Sequence, residues 1–275
     1  MPVADPDRVH PTAIVSAEAD LAAGVQVGPY AVIEGPVTLG LDCVVGPHAH
    51  LIGPLVMGRG NRVGTGTVIG SEPQHLAYEG QPTRTEIGDS NTFREFVTVH
   101  RGSHVEGYGV TRIGSFNYFM VNSHVAHDCK IANHCIFANG ALLAGHCEIE
   151  DRVFLSGLTA VHQFARLGRL SLLNGQESAS HDVPPFLVVK DRYTLLGVNI
   201  VGMRRAGIPT ADISAVRMAF KILYRSGLML KLGVERLEQE LGGHPLVAEM
   251  LRFIQAKSRR GIMRSGADEV SPDAE

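Results

Sequence analysis

Residues 113–149 read IGSFNYFMVNSHVAHDCKIANHCIFANGALLAGHCEI. Every sixth position is large and apolar: Ile113, Phe119, Val125, Ile131, Phe137, Leu143 and Ile149. An amphipathic helix repeats at about 3.6 residues and a half-buried strand at about two, so a period of six belongs to neither. It is the signature of a β-helix built from hexapeptides, in which three hexads close one triangular coil.

The same step runs outward in both directions. Downstream it meets Leu155, Val161, Leu167 and Leu173. Upstream, beyond one interruption, stand Ile87, Phe93 and Val99. Beyond a second lies an unbroken run from Val9 through Val15, Leu21, Val27, Ile33, Leu39, Val45, Leu51, Met57 and Val63 to Ile69. Chance would phase such a set roughly once in 10⁷ sequences, even if half of all positions were apolar. Gly or Ala often follows the large residue (Gly28, Gly46, Gly64, Gly114, Ala138). A small residue often stands four places after it (Ala31, Ala49, Thr67, Ser123, Ala141). All four cysteines, Cys43, Cys129, Cys135 and Cys147, occupy that small position. Without a C-x-x-C pair they are expected as buried packing, not as metal ligands or disulfides.

The expected fold is therefore mainly β. A parallel β-helix spans 1–190, with polar loops at 70–86 and 100–112, and DVPPFLVV closes the prism. A small helical domain follows over 191–264. Helices are expected from Pro209–Thr210 to Gly227, over 234–241 and over 246–254. Residues 265–275 form an acidic tail expected to be disordered. The 31 glycines and the absence of tryptophan among 275 residues suit turn-dense β architecture better than a bundle. The N-terminus lacks a basic-then-apolar leader, and no run approaches 18 apolar residues, so a cytoplasmic protein without a membrane span is expected.

Charge is unevenly spread. Residues 1–199 carry 13 Lys/Arg against 19 Asp/Glu, and residues 200–264 carry 12 against 5. A basic segment on an acidic protein suits an anionic partner.

With 18 residues per coil, His127, His146 and His162 fall close to one prism edge on consecutive coils, and Asp128 lies one coil from His146. His124 sits one corner away. Stacked imidazoles beside a carboxylate make a candidate general-base cluster. An ordinary imidazole titrates near pH 6.5 and suits removal of a proton from a hydroxyl near neutral pH. No G-x-S-x-G elbow is present, so direct transfer is simpler than a covalent intermediate.

At these residues the chain resembles the acyl-[acyl-carrier-protein]–UDP-N-acetylglucosamine O-acyltransferase family. The motifs that carry the resemblance are HPTAIV (10–15), QPTRTEIGD (81–89), FVTVHRG (96–102), NSHVAHDC (122–129), LAGH (143–146), TAVHQF (159–164), DVPP (182–185), GVNIVGMRR (197–205) and YRSG (224–227). The resemblance implies that the β-helix winds left-handed, and that the chain transfers a 3-hydroxyacyl group to the 3-position of the nucleotide sugar, the first step of lipid A synthesis, in a homotrimer. It implies His127 as base, Asp128 as its orienting partner and the Gly145 N–H as oxyanion donor. Gln74, His75, His124, His146, His162, Gln163, Asn199 and Arg205 are implied to bind substrate, with Leu172 and Gly175 lining the acyl pocket. Arg166, Arg169, Arg204, Arg217, Lys221 and Arg225 are expected to dock the acidic acyl carrier protein. No cofactor, metal or nucleic acid is expected.

Two departures bear on selectivity. The family's Gln-Asp-x-Lys-Tyr reads Gln74-His75-Leu76-Ala77-Tyr78 here, and its Glu in GVNxEG is Val201. A paralogue acting on a 3-amino sugar nucleotide is therefore a second reading. A metalloenzyme resembling the γ-class carbonic anhydrases is a third.

Overall fold

The computed structural model describes residues 8–104 and 109–265. Three sheets of parallel strands, most of them two or three residues long, form the sides of a triangular prism. They hold nine, eight and eleven strands among the described residues. Along the continuous coils each strand pairs with the one 18 residues on, as in Ile136↔Phe154 and Phe137↔Leu155. From Val27 onward the expected inward set is inside, with Phe93, Phe119, Phe137, Leu143 and Leu155 at most 1% exposed, while Val9, Val15 and Leu21 on the first coil are partly buried. Phe119 stacks between Phe93 and Phe137, at 4.8 and 4.6 Å between ring centres. Each buried aliphatic or aromatic side chain contributes about 1.5–3 kcal/mol gross, most of it offset by ordering the backbone.

At most corners one residue adopts the left-handed backbone region, with φ near +60°. Bulky side chains normally avoid that region at a cost of about 1–2 kcal/mol, but here the turn repeats in register and the side chain is thrown outward along the edge. Asp128 (φ 59°), His146 (φ 60°) and Phe164 (φ 67°) are three such residues on three successive coils of one edge. The cysteines are free and buried. The thiols of Cys43, Cys129, Cys135 and Cys147 donate to carbonyls of Gly58, Ala144, Glu150 and His162. Burial pushes the Cys135 thiol up to about 12, which leaves it inert.

The interruptions are shorter than the sequence suggests. Arg84–Ile87 and Val110–Ile113 are strands that pair with each other in full register, so residues 84–86 and 110–112 belong to the sheet. Both loops leave the edge between the nine-strand and eight-strand sheets, the edge of Asp128 and His146.

The C-terminal region is not purely helical. Leu187–Val189 pairs with 172–173, Thr194–Val198 returns antiparallel to it, and Arg264–Ser265 adds a further strand. Between these lie α1 (Ile200–Arg205), α2 (Thr210–Tyr224), α3 (Leu230–Leu241) and α4 (Pro245–Gln255). The short α1 was not expected. Of the acidic tail, 266–275 lies outside the described residues.

Candidate active site

His127 and Asp128 occupy the corner between strands His124–Val125 and Lys130–Ile131. The Asp128 carboxylate is fully buried and held on several sides. Its Oδ2 accepts from the Ser103 N–H (2.8 Å) and from His127 Nδ1 (2.9 Å), and its Oδ1 accepts from the Gly109 N–H (3.1 Å). Its own N–H donates to Thr111 Oγ1 at 2.8 Å. A carboxylate can only accept, so the imidazole proton sits on Nδ1 and the Nε2 lone pair is left for chemistry.

The ring lies across Gly145 on the next coil. A Cβ there would stand 2.6 Å from His127 Cε1 and 2.7 Å from Nε2, closer than real Cβ atoms come to their neighbours. Gly145 is therefore required by close approach, its φ being ordinary. Among the described residues no protein acceptor takes the Gly145 N–H, which stays available at the foot of the imidazole.

Around this pair stand three more rings. His146 meets His127 at right angles, 5.0 Å between centres, with its Nε2 4.0 Å from Asp128 Oδ2. His75, from the first loop, meets His127 edge-on at 5.5 Å. Its Nδ1 accepts the Ala77 N–H at 3.2 Å. Phe164 stacks on His146 at 4.5 Å. His124 lies on the adjoining face with Nδ1 2.7 Å from Thr98 Oγ1. It meets the buried His100 at 5.0 Å. Burial pushes His100 down to about 4, assisted by His124 and His127; burial, then His127, lower His124 too. Both are neutral near pH 7.

The third ring on the edge is thus Phe164 and not His162. His162 is exposed, and its Nδ1 contacts the Gln163 carbonyl. The sequence held the signal: 128, 146 and 164 differ by one coil each.

Other expected residues are dispersed. Gln74 is exposed in the first loop. Asn199 is 6% exposed; its Oδ1 caps α1 at the Gly202 N–H and its Nδ2 donates to the Leu170 carbonyl. Both ends of its amide are thereby committed inside the chain. Leu172 and Gly175 flank a different corner, between the eleven-strand and nine-strand sheets, so one chain does not bring them to His127. Arg166 pairs with the buried Asp182 at 2.7 Å and lies over Phe253, while Arg169 makes a two-pronged pair with Glu249. These two arginines rivet α4 to the prism. Arg204, Arg205, Arg217, Lys221 and Arg225 are exposed on the helices.

Among the described residues, His127, Asp128 and His146 form a donor group within 4.8 Å that could hold a cation. A metal bound through His127 Nδ1 would have to displace the proton donated to Asp128, so the geometry favours the hydrogen-bonded pair. A groove of 810 Å³ lies along the eight-strand face, lined by Glu86, Arg112, Lys130 and Glu148, away from His127.

A family profile described as UDP-N-acetylglucosamine O-acyltransferase, domain 2, matches residues 182–263. The acyl-[acyl-carrier-protein]–UDP-N-acetylglucosamine O-acyltransferase of Anaeromyxobacter sp. (strain K) is 48% identical, covering 93% of this chain and 99% of its own. The enzyme of that name from Halorhodospira halophila is 45% identical over 94% and 99%. Among solved structures, the UDP-N-acetylglucosamine acyltransferase of Francisella novicida superposes with a TM-score of 0.90 at 33% identity, covering 94% of each chain. That of Bacteroides fragilis gives 0.89 at 34% identity, covering 93% of this chain and 99% of that one.

Proposed function

The chain belongs to the acyl-[acyl-carrier-protein]–UDP-N-acetylglucosamine O-acyltransferase family, and from that premise we propose that His127 is the general base of its acyl transfer. The observation that carries this reading is the His127 imidazole, its proton fixed on Nδ1 by the buried Asp128 and its Nε2 bare where the ring packs on Gly145.

Nε2 removes the proton from the sugar 3-hydroxyl as that oxygen attacks the thioester carbonyl of a 3-hydroxyacyl carrier protein. Charge builds on the thioester oxygen, where the Gly145 N–H donates to it. The C–S bond breaks, and the imidazolium returns its proton to the departing thiolate. Asp128 stabilises the imidazolium without taking the proton, since two backbone amides also hold its carboxylate. A base so placed contributes about 10²–10⁴ in rate.

His124, His146 and His75, the last above the base, bind and orient the nucleotide sugar. His162 and Gln163 extend the same edge toward the acyl donor. Leu172 and Gly175 sit on another edge, so an acyl pocket that includes them needs a neighbouring copy, and a homotrimer supplies it. Exposed Arg204, Arg217, Lys221 and Arg225 serve the acidic carrier protein, and Arg205 the diphosphate. Arg166 and Arg169 are already neutralised by Asp182 and Glu249. No helix among the described residues is long and apolar enough to cross a membrane, and the carrier is met in the cytosol. The product would enter lipid A synthesis.

The test is an assay of the purified chain with UDP-N-acetylglucosamine and its 3-amino analogue against a ladder of 3-hydroxyacyl carrier proteins. Its mass in solution should be three times 29.6 kDa. Transfer to the 3-hydroxyl that disappears in His127→Ala supports the reading. Wild-type turnover by His127→Ala, or transfer only to the amine, contradicts it.

A further inference from the structure

The segment after α4 returns to the histidine edge. Its Arg259 guanidinium lies over the Phe164 ring, 4.4 Å from the centre. His146 stacks on the same ring at 4.5 Å and 16° between planes. His146 belongs to the coil before Phe164, and the residues after Arg259 are bonded to Ser180 and Asp182 on the coil beyond it, so Phe164 lies between the two. His146 in turn stands perpendicular to His127 at 5.0 Å. A continuous stack therefore runs from a C-terminal arginine, through an aromatic and an imidazole, to the ring that carries the free Nε2.

We propose that Arg259 and Phe164 are positioning residues for acyl transfer: together they brace His146 as the wall against which His127 is set. The inference rests on the reading of His127 as base and adds residues that touch no reacting atom. Asp128 fixes one atom of the His127 ring, Nδ1, and a single hydrogen bond leaves the ring free to pivot about that contact. Gly145 bounds it on one side, and His146 bounds it on another. Within the edge His146 projects from a left-handed corner residue and needs support from the coil beyond, where Phe164 projects in the same way. Phe164 is itself partly exposed at the prism's edge, and a cation over an aromatic face is an attractive contact that pins it.

The return of the segment is built in. The Asp182 N–H donates to the Gly261 carbonyl, the Met263 N–H to the Asp182 carbonyl, and Arg260 Nε to the Ser180 carbonyl. Asp182 also holds Arg166. Position 259 is thus held at the edge also by the bonds of the residues that follow it. Replacing the Arg259 side chain should leave the segment docked.

Steady-state kinetics of the full chain with UDP-N-acetylglucosamine and a 3-hydroxyacyl carrier protein provide the test, with thermal unfolding on the same samples. Arg259→Gln and Phe164→Leu should each lower kcat roughly five- to tenfold, as a small misplacement of a reacting group does, with the KM for the sugar nearly unchanged. Arg259→Lys, which keeps a cation for the ring, should recover most of the loss. Unfolding midpoints should stay close to the parent's. Parental kcat in Arg259→Gln overturns the proposal. So does a rise confined to the KM for carrier protein, which would make Arg259 a docking residue, or a failure of Arg259→Lys to recover anything at an unchanged midpoint. His127→Ala, run alongside, separates the two readings. Activity there removes the base, whereas a dead His127→Ala beside unaffected Arg259 variants removes only the brace.

Discussion

Two of the prism's edges spend their buried polar side chains differently. On the edge between the eight-strand and eleven-strand sheets, Asn61, Asn91 and Asn117 form a ladder. Each Oδ1 accepts both the backbone and side-chain N–H of the next asparagine, and the Asn117 Oδ1 accepts the Cys135 N–H. All three are at most 1% exposed, and their amide hydrogens also reach carbonyls of neighbouring coils. Everything the asparagines offer is consumed within the chain. On the histidine edge Asp128 is consumed in the same way, but its bonds leave the His127 lone pair over. A polar group wholly used by its neighbours holds a fold together, and one left with a single open valence can do chemistry.

The sharpest break of this contrast is His127→Ala. It should cost about 10²–10⁴ in kcat with only a modest fall in the thermal midpoint, since Asp128 loses one bond but keeps the Ser103 and Gly109 amides. Gly145→Ala comes next. The new methyl meets the His127 ring at a position of ordinary φ, so kcat should fall by roughly 10² through displacement of the base, with near-parental circular dichroism. Asn91→Ala is the mirror image. It strands the backbone and side-chain N–H groups of Asn117 and the Gly114 carbonyl, at a cost of about 1–3 kcal/mol each, read as a lower urea midpoint, while turnover per folded molecule is unchanged.

A smaller effect comes from pH. The unfolded chain binds a proton at an ordinary histidine near pH 6.5, whereas His100 in the folded chain resists until about 4. Stability should be level above pH 6.5 and decline as pH falls toward 4, because the unfolded state takes up the proton first. His124 contributes in the same direction. The slope of the urea midpoint against pH between 6 and 4.5 should be shallower in His100→Gln than in the parent.

How much of this was legible in the sequence follows from what each feature depends on. The hexad period and the buried cysteines are local regularities, and the coil length of 18 places Asp128 beside His146 by counting alone. The same count points to Phe164, yet an aromatic at a corner carries no chemical label, and the eye goes to His162 instead. The partners of Arg166 and Arg169 are 16 and 80 residues away, so two of the six expected docking cations proved to be riveted. Asn199 looks like a ligand in its motif, but its amide caps α1 and binds Leu170, contacts that form only when the chain returns to the prism. The amides of Ser103 and Gly109 that hold Asp128 come from loop backbone, which no residue type announces.

The account turns on which nitrogen of His127 carries the proton. Imidazole ¹⁵N NMR of the histidine-labelled chain, with the signal assigned by His127→Gln, reads this directly. The expected result at pH 7.5 is a proton on Nδ1 and a bare Nε2, with the proton moved or shared in Asp128→Asn. A proton on Nε2 in the parent chain would leave no base facing the sugar and would contradict the mechanism.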